Sequence, residues 1–558
     1  MLTRREALGL MSATGVAATL LAGCAEKDTQ QERAGSESQT KNLRILATSD
    51  LHGMFVPWDY MLDAENTQGS MAQLSGAMRE LRDDQTLIID AGDTIQGNLA
   101  DLFQHEEVHP MVICMNELGY DIGVAGNHDF DYGLDVLRSV IDTFTGKMLV
   151  GNARDEGGEA IADGYTIIER DGVRVGIIGM VTPLVARWDE IVLEGCTIGD
   201  AVEETRHIID EIKDNVDVLI GVMHMGLENE AGTPHTGVRD IAEACPEFDC
   251  IIAAHDHKLV GGDLIGGVLV VENRYHAQTI VVIDLSLEGA EGGWKVTDRT
   301  SYAVEVGDFE PDPKIVALMA DFDERAKLHT RTTIGTLVGG PLVEKGEFEA
   351  IPEALLADTA LIDLIHEVQL HHSGADVSST SLMRRDISLE PGPIRRCDVS
   401  QIYPYDNTLY TIEMTGSQLR RYLEWSARFY RTFEEGDLTL AFDPDIALFN
   451  YDMFQGVSYA INVSREPGKR IEDLAWPDGT PVADDDVFVL ATNNYRAGSF
   501  LLMPGPVFEE DDLPTLIEPG VHGTIGGIRE MICDYIENVQ GGTIKPVCDD
   551  NWRLVGCD

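Results

Sequence analysis

Positive charge is scarce in this chain. Its 558 residues carry 41 Lys and Arg against 97 Asp and Glu, a formal net charge of −56. A field of that sign repels nucleic-acid polymers and anionic membrane surfaces, so no polymeric nucleic acid is expected as a partner. A small phosphate ester is not excluded, because bound cations can reverse the local charge inside a cleft. Long apolar runs are lacking too: beyond the amino terminus no stretch reaches the roughly 18 apolar residues of a membrane-spanning helix. Internal repeats are absent. Cysteine is sparse, and the eight thiols after Cys24, at 114, 196, 245, 250, 397, 533, 548 and 557, fall in no zinc-ribbon spacing. The sequence leaves their pairing open, Cys548 with Cys557 and Cys245 with Cys250 being the nearest couples.

The amino terminus reads as an address. Arg4-Arg5 precedes a short apolar run, Gly9 to Ala22, that ends at Leu21-Ala22-Gly23-Cys24. This resembles a bacterial lipoprotein export signal of the twin-arginine type over residues 1–24, with Cys24 as the lipidated residue. Residues 25–41 are polar and read as a flexible tether. The expectation is an exported protein of the cell envelope, held by lipid on the outer face of the cytoplasmic membrane or secreted.

Hydrophobic content of 44% with 25% charged residues is that of a packed globular protein, and the length calls for two domains. Residues 42–307 repeat a short apolar strand, a polar or glycine-rich turn and a segment of helical period. The strands fall at 43–48, 86–90, 121–125, 173–180, 217–223 and 249–254, and two more, 268–273 and 279–287, are expected as an antiparallel closing pair. Strands so uniformly apolar are covered on both faces, which predicts a layered α/β/β/α or α/β/α core. A helix over 312–329 is expected to connect the halves within 308–334. Residues 335–558 follow as an α+β domain, with helices near 352–372 and 415–432.

Metal-capable residues fall after those strands. Asp50 and His52 (SDLHG) follow the first, Asp93 (AGDTIQG) the second, and Asn127, His128, Asp129 and Asp131 (GNHDFDYG) the third; His224 (VMHMG) follows the fifth, and His255 and His257 (AAHDHK) the sixth. Carboxyl ends of strands in an α/β sheet share one edge, so residues spread over about 200 positions converge. Leaving out His128, Asp129 and Asp131, the set offers two carboxylates, one amide oxygen and four imidazoles, an inventory suited to two cations bridged by a carboxylate. Mixed N/O donors suit Mn, Zn, Co or Fe better than Mg or Ca.

In this order the motifs resemble the hallmark series of the calcineurin-like metallophosphoesterases, with Ala254 replacing the glycine of the last motif. The resemblance implies a β-sandwich flanked by helices and two divalent metal ions. Asp50, His52, Asp93 and His257 would hold one ion, Asp93, Asn127, His224 and His255 the other, with Asp93 bridging. His128, oriented by Asp131, would donate a hydrogen bond or a proton near the scissile ester, stabilising the transition state or protonating the leaving alkoxide, while a water activated by the cations attacks phosphorus in line.

The segments GADVSSTSLM (374–383), IYPYDNTLYTIEMTGSQLRRYLEWSA (402–427), FNYDMFQGVSYAINVS (449–464) and ATNNYRAGSF (491–500) resemble the 5′-nucleotidase C-terminal domain, most of all its bacterial 2′,3′-cyclic-nucleotide 2′-phosphodiesterase/3′-nucleotidase branch. That resemblance implies a nucleotide substrate whose base lies between two aromatic rings. Tyr495 is one; the other falls at Tyr451 or Phe449, with Tyr451 preferred. Where the 5′-specific relatives carry NGGGIR, this chain has SSTSLMRR, which weakens a 5′-nucleotidase or nucleotide-sugar hydrolase assignment. Arg384, Arg385, Arg395, Arg396 and Arg496 stand as candidate phosphate or ribose partners. Another class of reading, a lipid-anchored nucleotide-binding protein with a degenerate metal site, conflicts with the complete ligand series.

Overall fold

The structure is a computed structural model that describes residues 39–557 apart from Ile191, Glu291, 347–349 and Thr524. The export signal with Cys24, and the tether up to residue 38, lie outside the described residues. Among the described residues no helix is long and apolar enough to cross a membrane, and all eight cysteines are free thiols.

The described chain forms two compact units. The first takes the residues up to Asp59 together with Glu65–Glu324; the second takes Tyr60–Ala64 and Arg325–Asp558. The division falls inside the expected connector, which is two helices, Pro313–Leu318 and Ala320–Thr330, separated at Met319. Asp312 caps the first, accepting from Lys314 N, with Pro313 at the first helical position, where a missing N–H costs nothing.

Two six-stranded sheets make the first unit. One runs, edge to edge, Gly293–Glu305, Thr279–Ala290, Thr40–Thr48, Leu87–Asp90, Ile122–Val124 and Lys147–Leu149; the other runs Val260–Ile265, Val268–Glu272, Cys250–Ala253, Val218–His224, Val173–Val181 and Tyr165–Arg170. Central strands such as Leu87–Asp90 and Val218–His224 are buried along their whole length, as parallel strands covered on both faces must be. Ile45, Ile89 and Val124 of the first sheet meet Val175, Val222 and Ile252 of the second in one core, the arrangement of a face-to-face sandwich. On the outer face of the second sheet, Ile178, Met223 and Ile251 pack with Ile208 and Ile209 of the helix Ala201–Ile212 and Ile241 of the helix Val238–Ala244. The Ala201–Ile212 helix starts where Asp200 accepts from Val202 N and Glu203 N. Each apolar side chain buried there contributes about 1.5–3 kcal/mol, so a charge at Ile209 would weaken the packing of the helix on the sheet.

The expected closing pair does not form. Val268–Glu272 runs parallel to Cys250–Ala253 in the second sheet, whereas Thr279–Ala290 pairs antiparallel with Thr40–Thr48 and Gly293–Glu305 in the first. Adjacent apolar runs announce burial on both faces, and that is satisfied equally well by crossing from one sheet to the other.

The second unit is built on a five-stranded sheet in the order Asp452–Gln455, Val377–Ser381, Val487–Asn493, Leu409–Thr415 and Thr515–Glu518. The helices Ala360–Ser373 and Gly416–Ala427 share its core. A capping box between Thr415 and Gln418 starts the latter, satisfying two helix-terminal N–H groups reciprocally.

Candidate functional site

Carboxyl ends of parallel strands in both sheets carry the predicted ligands. Asp50 and His52 follow Thr40–Thr48, Asp93 follows Leu87–Asp90 and Asn127 follows Ile122–Val124; His224 is the last residue of Val218–His224, and His255 and His257 follow Cys250–Ala253. The turns that hold them are unusual. Asp50, His52, Asp93, His255 and His257 have φ of 51°, 43°, 56°, 80° and 59°, a left-handed region that costs L-residues of order 1–3 kcal/mol each. Surrounding bonds impose it: Asp50 N donates to Gly92 O at 2.8 Å, His52 N to Asp93 O at 3.0 Å, and His276 N to Asp50 O at 2.7 Å. Asp129 clamps the next turns together. One carboxylate oxygen accepts from Asp93 N (3.0 Å) and Gly126 N (2.8 Å), the other from Thr94 N (3.0 Å) and Ile95 N (3.1 Å). Gly126 is glycine for want of room, since a Cβ there would collide with the Asp93 side chain and backbone. Ala254 keeps an ordinary negative φ, so the glycine it replaces is not needed for backbone freedom.

Two donor groups result. Asp50, His52 and His257 bring ligand atoms within 4.8 Å of one another, and so do Asp93, His224 and His255. Asn127 completes the second, its Oδ1 lying 3.0 Å from His224 Nε2 and 2.8 Å from His255 Nδ1. Asp93 Oδ2 lies 3.2 Å from His224 Nε2 and 3.8 Å from His52 Nε2, between the two groups.

Tautomers test whether cations fit. His224 Nδ1 is 2.8 Å from the Ala91 carbonyl and must donate to it, so the Nε2 lone pair of the neutral ring faces the Asn127 oxygen. His52 Nδ1 likewise meets Gln96 Oε1 at 2.9 Å, and its Nε2 faces His257 Nε2 at 3.1 Å. With the rings neutral, the Asn127 oxygen faces a lone pair, and the His257 ring, whose tautomer no outer contact among the described residues fixes, can turn its own Nε2 lone pair toward the point that His52 Nε2 faces; the residues fit two divalent cations. Burial brings the pKa of His52 and His257 down to about 4, keeping both neutral and able to ligate. At His224 burial works in the same direction, but Asp93 outweighs it and raises the pKa to about 9. A proton there takes the place of a cation, and cation binding would release it.

His128 stands apart from the ligands. Its Nδ1 is 2.9 Å from Asp131 Oδ2, its backbone N–H donates to Asp93 Oδ1 at 2.9 Å, and its side chain is 41% exposed. Burial opposes charging of the ring, but Asp131 and Asp93 prevail and hold its pKa well above the usual 6.5. The geometry is that of an imidazolium with one N–H fixed by a carboxylate and the other left to donate a proton.

Several residues around this centre escaped the sequence reading. Gln96 and Glu230 orient ligand rings, Trp188 stacks on His255 with centroids 5.5 Å apart at 16°, and Tyr275 stacks on His257 at 4.9 Å and 15°. His276 sits 5.8 Å from His52; it follows an apolar strand as His224 does, and that signal could have found it. The others carry no pattern in sequence.

In the second unit the ring assignment changes. Tyr451 is 1% exposed; one face stacks on Phe429 (5.0 Å, 17°) and Tyr430 meets it edge-on, so it is a core residue with no face for a base. Phe449 and Tyr495 are half-buried, 6.3 Å apart at 75°. They come from one edge of the sheet: Tyr495 follows Val487–Asn493, and Phe449 precedes the oppositely directed Asp452–Gln455. Arg496 is not available to a phosphate. It is 1% exposed, pairs with Asp452 at 2.7 Å, and donates to Phe449 O at 2.8 Å and Asn450 Oδ1 at 3.1 Å, tying the two ring-bearing loops together. Arg384, Arg395 and Arg396 pair with Asp386, Asp398 and Glu530.

A sandwich whose strand ends collect two histidine–carboxylate donor groups beside a charged histidine defines a two-metal phosphoesterase. Comparison with known families agrees: residues 43–259 match the calcineurin-like phosphoesterase model and residues 335–502 the 5′-nucleotidase C-terminal domain. The chain is a calcineurin-like phosphoesterase joined to a 5′-nucleotidase C-terminal domain, and so a metal-dependent hydrolase of phosphate esters. It is 28% identical to the trifunctional nucleotide phosphoesterase protein YfkN of Bacillus subtilis, over 92% of this chain but only 39% of that one. It is 25% identical to the 2′,3′-cyclic-nucleotide 2′-phosphodiesterase/3′-nucleotidase of Haemophilus influenzae, over 92% of this chain and 87% of the relative. Among solved structures, a Staphylococcus aureus protein in complex with alpha-ketoglutarate shares the fold with a TM-score of 0.75 and 22% identity, over 92% of this chain and 100% of that one.

Proposed function

We propose that this protein hydrolyses 2′,3′-cyclic nucleotides to 3′-nucleotides, and these to nucleoside and phosphate, outside the cytoplasm. The observation that carries the reading is the pairing of two cation-demanding donor groups with the His128–Asp131 couple at one end of the sandwich. Two bound cations, with Mn, Zn, Co or Fe suited to these mixed donors, supply Lewis acidity and acidify an attacking water. Asp93 lies between the groups and fixes their separation. His128 delivers a proton to the departing ribose oxygen as the P–O bond breaks, and Asp131 keeps the ring charged and oriented.

Phe449 and Tyr495, which stand edge-to-face rather than as a parallel pair, supply the aromatic surface for the base. Stacking contributes about 1–3 kcal/mol per base and tolerates any base, so broad base specificity follows. The names of the Bacillus and Haemophilus relatives support a nucleotide substrate, and SSTSLMRR in place of an NGGGIR loop argues for the cyclic and 3′ esters over the 5′. Export by the twin-arginine signal with a lipid on Cys24 completes the proposal; mass spectrometry of the protein from its own membranes would find a diacylglyceryl amino-terminal cysteine, and a mature protein beginning elsewhere would refute that part.

The function is tested by phosphate release from 2′,3′-cyclic AMP, 3′-AMP and 5′-AMP with Mn²⁺ added, with 3′-AMP also followed as a product of the first. Faster turnover of the first two is expected. A preference for 5′-AMP would move the protein to the 5′-nucleotidases.

A further inference from the structure

The two donor groups are not equivalent in charge. Around His52 and His257 stands Asp50, a carboxylate of their own, in addition to the shared Asp93; around His224 and His255 the corresponding place is taken by Asn127, a neutral amide. A second divalent cation would therefore meet one negative charge fewer in its direct surroundings. The deficit is made up one bond further out.

His255 Nε2 lies 2.9 Å from Glu230 Oε2. An ionised carboxylate only accepts, so Nε2 carries the hydrogen and Nδ1 keeps its lone pair, aimed at Asn127 Oδ1 at 2.8 Å. The corresponding outer contacts of His52 and His224 go to uncharged oxygens, the Gln96 amide and the Ala91 carbonyl. Among these three imidazoles only His255 is backed by a full charge. The backbone that carries this carboxylate is also held in place. Glu230 N donates to Thr236 Oγ1 at 2.9 Å, Thr236 is 2% exposed, and Asn229 Oδ1 accepts from Thr236 N and Gly237 N at 3.0 and 2.9 Å. Trp188 stacks on the His255 ring, and with the side chains of His255 and Glu230 16% and 27% exposed the contact is partly withdrawn from water, which strengthens it electrostatically.

We propose that Glu230 is a positioning residue for the cation held by Asp93, Asn127, His224 and His255, fixing the His255 tautomer and supplying through the ring the negative charge that Asn127 lacks. The inference rests on the two-cation reading of the site. Carboxylates behind ligating histidines commonly account for about 10–100-fold in metal affinity.

The test is a Zn²⁺ titration of the metal-stripped full-length protein against a chromophoric chelator, with wild type, Glu230→Gln, His52→Ala and the double variant. Wild type takes up two equivalents. Glu230→Gln keeps one at wild-type affinity and binds the other about 10–100-fold more weakly. His52→Ala loses the opposite equivalent, and the double variant retains only the weakened one. Glu230 is partly exposed on a loop, so an unchanged melting temperature for the stripped Glu230→Gln protein shows that folding is intact; if that variant melts early, Glu230→Asp, which keeps the charge but shortens its reach, must show the same selective weakening. Two equivalents of wild-type affinity in Glu230→Gln, or weakening of the equivalent that His52→Ala removes, overturns the inference. Failure of the wild type to take up a second equivalent overturns the two-cation reading instead.

Discussion

The two units build the surfaces proposed for catalysis and for base binding by opposite means. In the first, short polar side chains sit on backbone that L-residues rarely adopt, and crossing hydrogen bonds from neighbouring strand ends hold them there. In the second, large rings sit beside a regular sheet, and the buried Arg496–Asp452 pair fixes the loops that carry them. A donor group tolerates little displacement, because each lone pair must point at one place. A stacking face accepts any π-surface laid on it. Damage to the first unit should therefore appear in catalysis and metal content, and damage to the second in substrate affinity.

The largest expected effect is loss of the cations. Chelation, or Asp93→Ala, should abolish turnover by about a thousandfold or more, with added Mn²⁺ restoring only the chelated wild type; activity surviving exhaustive chelation would contradict the role given to the donor groups. His128→Asn comes next. It should lower kcat by about 10²–10⁴-fold while metal content stays at the wild-type level, and a matching loss of metal would turn His128 from proton donor into ligand.

Phe449→Ala and Tyr495→Ala should each raise KM for 3′-AMP about 5–150-fold, equivalent to about 1–3 kcal/mol of stacking, with kcat little changed. Tyr451→Phe should leave KM alone, and Tyr451→Ala should cost about 3–5 kcal/mol of stability. Reversed outcomes for Tyr451 and Phe449 would restore the sequence-based choice.

The smallest effect is confined to the second unit and concerns pH. Asp363 is 2% exposed, and burial followed by the charge of Asp358 raises its pKa from the ordinary 3.8 to about 8. The native state binds that proton more tightly than the unfolded chain. The associated stability is therefore complete below pH 3.8 and is lost progressively as pH climbs to about 8. Asp363→Asn keeps an acceptor for Asp549 N and should stabilise the protein at pH 8 by at least about 1 kcal/mol, the worth of a single pKa unit, with no gain at pH 4. Denaturant melts at both pH values would show it, and equal effects at the two would remove the titration from the account.

Most strands of the first unit, and the residues converging at their ends, were legible because parallel strands buried on both faces leave unbroken apolar runs, and metal-capable residues directly after them stand out. Strand partners were not legible: the runs 268–273 and 279–287 look alike, yet enter different sheets. The break at Met319 was hidden because helical period continues through it. Glu230, Gln96 and Tyr275 were invisible for another reason. Each acts on a ligand from a loop, where no periodicity separates a residue that orients a ring from one that merely meets solvent. Tyr451 and Phe449, two positions apart, differ only in burial, and composition does not reveal which ring the core takes.

The left-handed turns at Asp50, His52, Asp93, His255 and His257 also bear on how such a protein can age. Glycine would sit at each of these positions with less backbone strain than the residue that is there, but the carboxylates of Asp50 and Asp93 also accept from His255 N and His128 N, so it is at the three histidines that ligation is the main reason to keep a side chain. In a lineage released from catalysis, drift toward glycine or asparagine at these three sites should precede erosion of the strands. A descendant with an intact sandwich and glycines at its strand ends would then be a fossil of the enzyme, more stable than its ancestor and unable to do its chemistry.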